Sequence, residues 1–164
     1  MSNPNELTAP RVAASWDETF MRMALLVADR SKDPVTQVGA CIVSGDNRIL
    51  SLGYNGTPNG WDDSDFPWGK VGDPLDTKYA FVIHAERNAV LNYGGLHSQL
   101  KGSRVFVTHF PCNQCAQELA QVGVAEVIYL KGHNRAKFST LASERILNAC
   151  GISFHQLSLD TEFA

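Results

Sequence analysis

The stretch His84-Ala85-Glu86, followed by Pro111-Cys112-Asn113-Gln114-Cys115, decides how this chain is read. One His and two Cys are donors that zinc favours, and three protein ligands leave a fourth position for water. Glu86 stands two residues from His84, within reach of that water without being a ligand itself. A Cys-x-x-Cys alone also fits a redox dithiol or half of a structural zinc site. A redox pair at Cys112 and Cys115 would leave His84 and Glu86 without a role. A closed structural site would need a fourth ligand such as His97, His109 or His133. The two halves together point to an open metal centre with a carboxylate beside it.

Both halves fall where a strand or loop passes into a helix. A β-rich run over 104–108 leads into Pro111-Cys112, where a helix is expected to start and run to Gly123. Another helix is expected to begin near His84 and stop at Gly94-Gly95, a good C-cap pair. Backbone N–H groups at a helix start lack intrahelical partners and favour negative charge, which suits thiolates at Cys112 and Cys115. Their spacing of three also sets them on one helical face.

Upstream, Ser15-Trp16-Asp17-Glu18 reads as a capping box, and Trp16, Phe20, Met23, Ala24 and Val27 follow at helical spacing as a core stripe over 16–29. Runs over 37–43 and 48–52 flank the turn Ser44-Gly45-Asp46-Asn47, hence an antiparallel hairpin. From Gly53 to about Lys78 the chain is rich in turn formers, carries Trp61, Phe66 and Trp68, and shows little periodicity. A loop of this length is either functional or a surface segment packed on its own aromatics. A strand over 126–130, a helix over 140–149 stopped by Gly151 and a strand over 152–157 complete the chain. The order α-β-β-α-β-α-β-α-β calls for an α/β fold, three layers with a central mixed sheet of about five strands.

With 164 residues the chain is expected to form one domain, behind a loose polar tail over 1–14. The composition, 44% hydrophobic and 19% charged, is that of a globular protein. A net charge of −3 without a run of Lys or Arg argues against a broad nucleic-acid surface. No apolar run approaches the roughly 18–20 residues of a membrane span, and nothing resembles a targeting segment. A cytoplasmic setting is therefore expected, in which thiols stay reduced. Cys41 and Cys150 read as small buried hydrophobes.

H-x-E followed by P-C-x-x-C is the signature of zinc-dependent nucleobase deaminases. The resemblance extends further. Arg30-Ser31-Lys32-Asp33-Pro34, Gln37-Val38-Gly39-Ala40-Cys41-Ile42-Val43, Gly53-Tyr54-Asn55-Gly56 with Pro58 and Gly60, and Leu75-Asp76-Thr77-Lys78-Tyr79 resemble the deoxycytidylate (dCMP) deaminase family. So do Asn88-Ala89 and Phe110-Pro111-Cys112-Asn113 with Cys115-Ala116, so that the likeness covers about Trp16 to His155. It implies a cytidine deaminase-like fold and hydrolysis of dCMP to dUMP and ammonia, supplying dUMP for dTMP synthesis. It also implies a homohexamer, activated by dCTP and inhibited by dTTP with Mg²⁺.

On this resemblance His84, Cys112 and Cys115 hold one catalytic Zn²⁺ and Glu86 shuttles protons. Asn55 and Ala85 are expected at the substrate. The loop holding Gly53, Tyr54, Asn55, Gly56, Asn59 and Gly60 is expected at the effector. Read from their chemistry, Arg30, Ser31 and Lys32 suit a 5′-phosphate or a solvated helix C-terminus. Asn55 suits a sugar hydroxyl or a left-handed turn. Phe110 suits a wall for the base or a plain core position.

Two features depart from the family pattern. Arg87 stands where relatives often carry an uncharged residue, and could meet a phosphate, a neighbouring subunit or water. The additional structural zinc of some phage members finds no second ligand pair here. Competing readings keep the chemistry on another substrate (cytidine, dCTP, or a base in tRNA or single-stranded DNA) or make the chain a non-enzymatic, zinc-stabilised nucleotide-binding module.

Overall fold

In the computed structural model, which describes Pro10 and residues 12–159, the chain follows the expected order. The elements are α1 (Trp16–Ala28), β1 (Gly39–Val43), β2 (Ile49–Tyr54), α2 (Ala85–Asn92), β3 (Arg104–His109), α3 (Asn113–Gln121), β4 (Glu126–Lys131), α4 (Phe138–Ala149) and β5 (Ser153–Gln156). The tail expected over 1–14 lies, apart from Pro10 and residues 12–14, outside the described residues.

Five strands form one mixed sheet in the order β2-β1-β3-β4-β5. β1 runs antiparallel to both β2 and β3, while β4 is parallel to β3 and to β5. Because β1 is central, alternate residues enter different cores, and its apolar run is continuous rather than alternating. Ala40 and Ile42 pack with Val105, Val107 and Val127 under α2, α3 and α4. Cys41 and Val43 pack with Phe106 and Ile128 under α1. Burial alone pushes the Cys41 thiol up to about 12, so it stays an inert core group.

Ser15 opens α1 with the expected reciprocal cap. Glu18 N donates to Ser15 Oγ at 3.2 Å, and Ser15 N donates to Glu18 Oε2 at 2.9 Å. Such a cap contributes about 1 kcal/mol. Two glycines let helices lie directly on the sheet. A Cβ on Gly39 would stand 1.8 Å from Ala24 O of α1, and one on Gly53 would stand 2.2 Å from Ala89 N of α2.

Four expectations need correction. Trp16 is 57% exposed and stacks on Phe20 at 5.5 Å instead of entering the core, because it occupies the first helical position at the sheet's margin. Cys150 is exposed, since it is the C-cap of α4 and faces outward from the last turn. α2 ends at Asn92 with Tyr93 as an extended C-cap, and neither Gly94 nor Gly95 takes a positive φ. Asn55 is no left-handed turn residue; among the described non-glycine residues only Asn47, in the hairpin turn, has positive φ.

The stretch from Gly56 to Ile83 is packed on its own aromatics. Trp61 lies 5.1 Å from both Phe66 and Phe81, and Phe66 lies 4.5 Å from Trp68. Two short 3₁₀ turns, Pro74–Asp76 and Lys78–Ala80, carry it back to the sheet. Its ends are joined by reciprocal bonds, Gly56 N to Ile83 O at 3.0 Å and Ile83 N to Gly56 O at 2.9 Å.

Gly39→Ala is expected to destabilise the fold by about 3 kcal/mol or more, since the new methyl must displace helix backbone. Gly45→Ala, with nothing within 4 Å of its Cβ, should stay within about 0.5 kcal/mol of the parent in urea unfolding.

Candidate active site

Two helix N-termini meet beside the end of β3. The pairing of Gly56 with Ile83 fixes the residue before His84, and His84 is the extended N-cap of α2 (φ −70°, ψ 155°). Cys112 is the extended N-cap of α3 (φ −70°, ψ 169°), reached from β3 through Phe110 and Pro111. Neither side chain caps its own helix, so both are free to turn toward one point. The two cysteines therefore converge because one precedes the helix and the other sits in its first turn, not because they share a face in the helix body. His84 and Glu86 avoid diverging for the same reason.

His84 Nδ1 lies 3.4 Å from Cys112 Sγ and 3.4 Å from Cys115 Sγ, and the three donor atoms all lie within 4.8 Å of one another. With Zn–N near 2.0–2.1 Å and Zn–S near 2.3 Å, a tetrahedral ion needs N···S edges of about 3.6 Å. The donor set and its spacing thus fit zinc. Among the described residues no fourth His, Cys, Asp or Glu joins the group. Of the candidates named from the sequence, His109 lines the adjoining cavity and His133 pairs with Glu144.

The electrostatics suit a cation. A hydrogen bond from Cys115, helped by His84, holds the Cys112 thiol down to about 4 in spite of burial. Cys115 is pushed up, first by that same shared bond and then by burial. A metal would take both as thiolates and release the remaining proton. Glu86, 4% exposed in the first turn of α2, has its carboxyl raised to about 6 by burial against the pull of His84. A carboxyl balanced there can both accept and return a proton near neutral pH.

His84, Glu86 and Cys112 line the floor of a cavity of about 220 Å³, walled by Asn55, Ala85 and Phe110. The Phe110 ring is held edge-on by Tyr129 at 4.9 Å and Phe154 at 5.6 Å, while its N–H donates to Lys131 O at 2.7 Å. Asn55 is buried and bridges two loops. Its Oδ1 accepts from Val38 N at 2.8 Å, and its Nδ2 donates to Thr36 O at 2.9 Å and to Asp33 Oδ2 at 3.3 Å. One acceptor lone pair of Oδ1 is left over.

Sequence reasoning missed a buried ion pair in this wall. Lys78 Nζ donates to Asp33 Oδ2, with side chains 7% and 1% exposed. Burial works to raise the Asp33 carboxyl, but hydrogen bonds from Lys78, Val35 and Thr36 together bring it below the usual value. Both residues stood in quoted stretches, yet nothing in their spacing announced a contact 45 positions apart.

Arg30, Ser31 and Lys32 are not brought into this cavity. Arg30 and Lys32 line a second cleft of about 420 Å³ together with Tyr54, Gly56, Asn59 and Gly60. Lys32 pairs there with Asp63, and Ser31 Oγ donates to Asn55 O at 2.8 Å. Gly53 is absent from that lining because it is pressed against the backbone of α2. Arg87 is exposed and forms an ion pair across to the next helix. Its Nε lies 3.3 Å from Glu118 Oε1, linking α2 to α3.

Set against known proteins, this geometry has close company. Residues 14–131 match the cytidine and deoxycytidylate deaminase zinc-binding region. The chain is 48% identical over 145 residues to a probable deoxycytidylate deaminase of Drosophila melanogaster, covering 85% of this chain and 70% of that one. It is 43% identical over 142 residues to human deoxycytidylate deaminase, covering 86% and 79%. The dCMP deaminase of cyanophage S-TIM5, crystallised with dCMP and dUMP, superposes with a TM-score of 0.70 at 27% identity over 90% of this chain and 100% of that one. This chain belongs to the cytidine and deoxycytidylate deaminase family. It is a deaminase of the cytidine deaminase-like fold, and its His/Cys/Cys group fits the family's zinc.

Lys78→Met is expected to destabilise the protein by about 3–5 kcal/mol, because it leaves Asp33 buried and unpaired. Adding Asp33→Asn should recover part of that loss. Ion-paired Asp33 contributes stability that is present above the ordinary Asp pKa of about 4 and lost as pH falls through its lowered folded value. The gap between parent and Lys78→Met in denaturant titrations should therefore narrow below about pH 4.

Proposed function

We propose that this deaminase hydrolyses dCMP to dUMP and ammonia, with one zinc held by His84, Cys112 and Cys115. The observation that carries the reading is the buried Glu86 carboxyl beside that three-donor group at the floor of a nucleoside-sized cavity. Relatives named deoxycytidylate deaminase at 43–48% identity support the choice of substrate.

The reaction joins the oxygen of water to C4 of cytosine and breaks the bond from C4 to the exocyclic nitrogen. Zinc, when bound, supplies acidity to a water at its open position. Glu86 takes a proton from the water and delivers one to the ring nitrogen N3. It then carries a proton to the departing amine, which leaves as ammonia. Its raised pKa suits both directions of transfer. Phe110 and Ala85 wall the base, and the spare lone pair of Asn55 Oδ1 accepts a sugar hydroxyl.

The second cleft is the proposed effector site, taking dCTP as activator and dTTP as inhibitor, with Mg²⁺. Arg30 and Lys32 offer charge to phosphates, and Trp61 and Trp68 offer aromatic faces to a base. Two contacts join it to the catalytic cavity. Ser31 Oγ bonds Asn55 O, and the pairing of Gly56 with Ile83 leads into His84. The family assembly, a homohexamer in the cytoplasm supplying dUMP for dTMP synthesis, completes the proposal. Among the described residues no helix is long and apolar enough to cross a membrane.

Ammonia release from cytidine, dCMP, dCTP and an RNA hairpin is the direct test, with dCMP expected to be the preferred substrate. Absence of turnover of all four with zinc present would overturn the enzymatic reading. Glu86→Gln should retain stoichiometric zinc and fold while kcat falls by about 10²–10⁴-fold. Cys112→Ser should lose the metal. In the same assay dCTP should raise and dTTP lower dCMP turnover, and a response to neither would remove the regulatory part alone.

A further inference from the structure

The catalytic cavity is lined by two lysines with different circumstances. Lys78 is 5% exposed, and its charge is neutralised by Asp33, which also accepts from Val35, Thr36 and Asn55. Lys70 is exposed and, among the described residues, takes part in no ion pair. His109, which also lines the cavity, has its imidazole held below the usual histidine value by burial and by Lys131. Lys70 is thus the lining cation, apart from the metal ligand His84, that no carboxylate answers.

Its place is fixed by the backbone around it. Gly69 O accepts from Lys78 N at 3.0 Å, which ties the residue before Lys70 to the stem of the buried lysine. Trp68 Nε1 donates to Asp63 O at 3.0 Å and its ring packs on Phe66. Lys70 therefore leaves a fastened segment. Depth follows from exposure. Ala85 and Glu86 are buried at the floor, while Lys70 and Tyr79 are exposed at the mouth.

A cytosine nucleotide must bring its amine-bearing carbon to Glu86, and the group farthest from that carbon, across the sugar, is the 5′-phosphate. A phosphate left at a wet mouth beside an unneutralised ammonium gains a charge-assisted hydrogen bond without full desolvation. We propose that Lys70 is the specificity-determining residue that reads the 5′-phosphate, so that this site distinguishes a cytosine nucleotide from the nucleoside. The inference rests on the proposed dCMP reaction. It also reassigns a role that the sequence suggested for Arg30, Ser31 and Lys32, of which Arg30 and Lys32 face the other cleft.

The test uses the zinc-loaded full chain with two readouts. Binding of dCMP and of deoxycytidine is measured by calorimetry in the Glu86→Gln background, where substrate persists. Turnover of both is measured in the parent background. Lys70→Met should weaken dCMP binding, and raise KM for dCMP, by roughly 10- to 100-fold with kcat little changed. Deoxycytidine should be unaffected, Lys70→Arg should restore most of the preference, and thermal midpoints should not move. An unchanged dCMP-to-deoxycytidine ratio in Lys70→Met would overturn the proposal, as would an equal collapse in Lys131→Met, a lysine outside the lining. A parent that binds dCMP through Lys70 yet releases no ammonia would remove the proposed reaction and leave this inference standing.

Discussion

Helix α2 can bring His84 to Cys112 only because it lies against β2 where there is no side chain. At Gly53 a Cβ would stand 2.4 Å from Ala85 O and 2.2 Å from Ala89 N. That contact sets the depth of the α2 N-terminus, and the pairing of Gly56 with Ile83 sets its direction. Once α2 is seated, β3 delivers Phe110, Pro111 and Cys112 from the other side of β1. Two chain segments thereby supply three donors within 4.8 Å, with Glu86 one turn position away. The glycine, expected at an effector, is packed against helix backbone, and that packing lets α2 bring His84 to the two cysteines.

A second constraint holds the cavity open. Asp33 comes from the connection between α1 and β1, Asn55 and Lys78 from that between β2 and α2, and the three satisfy one another in a place where an unmatched charge would be costly. All three line the cavity, as does Phe110 just after β3. Their arrangement pairs the buried charges of this wall and leaves over one acceptor lone pair of Asn55. The wall also separates the catalytic cavity from the second cleft, which shares Asn55 through the bond from Ser31 Oγ to its carbonyl. A ligand that moved the Gly56 segment would act on residues one step from His84.

Much of the site was legible in the chain because its chemistry is local. His-x-Glu and Cys-x-x-Cys each lie within one helical turn, so residue type and spacing suffice to single out the His/Cys/Cys group that fits zinc and a carboxylate near it. Helix starts were equally legible at Ser15, His84 and Cys112, where capping and proline rules act over a few residues. Helix α2 was overrun by two residues, since Tyr93 ends it by turning extended and the glycines after it are not needed as a left-handed cap. Cys150 was misread because an apolar side chain near a helix end can face either way, and only packing decides.

The sequence by itself determined the element order, the His/Cys/Cys group that fits zinc, and the family. These follow from short-range periodicity and from residue chemistry that does not depend on where the chain goes next. Only the tertiary structure decided which lysine faces which cleft. Arg30 and Lys32 look like phosphate ligands in the chain and lie at the second cleft, while Lys70 and Lys78 line the catalytic one. Their fates turn on contacts such as Asp33 with Lys78, across 45 positions, and Lys32 with Asp63, across 31. A charge states its sign in the sequence, but its partner is chosen by folding.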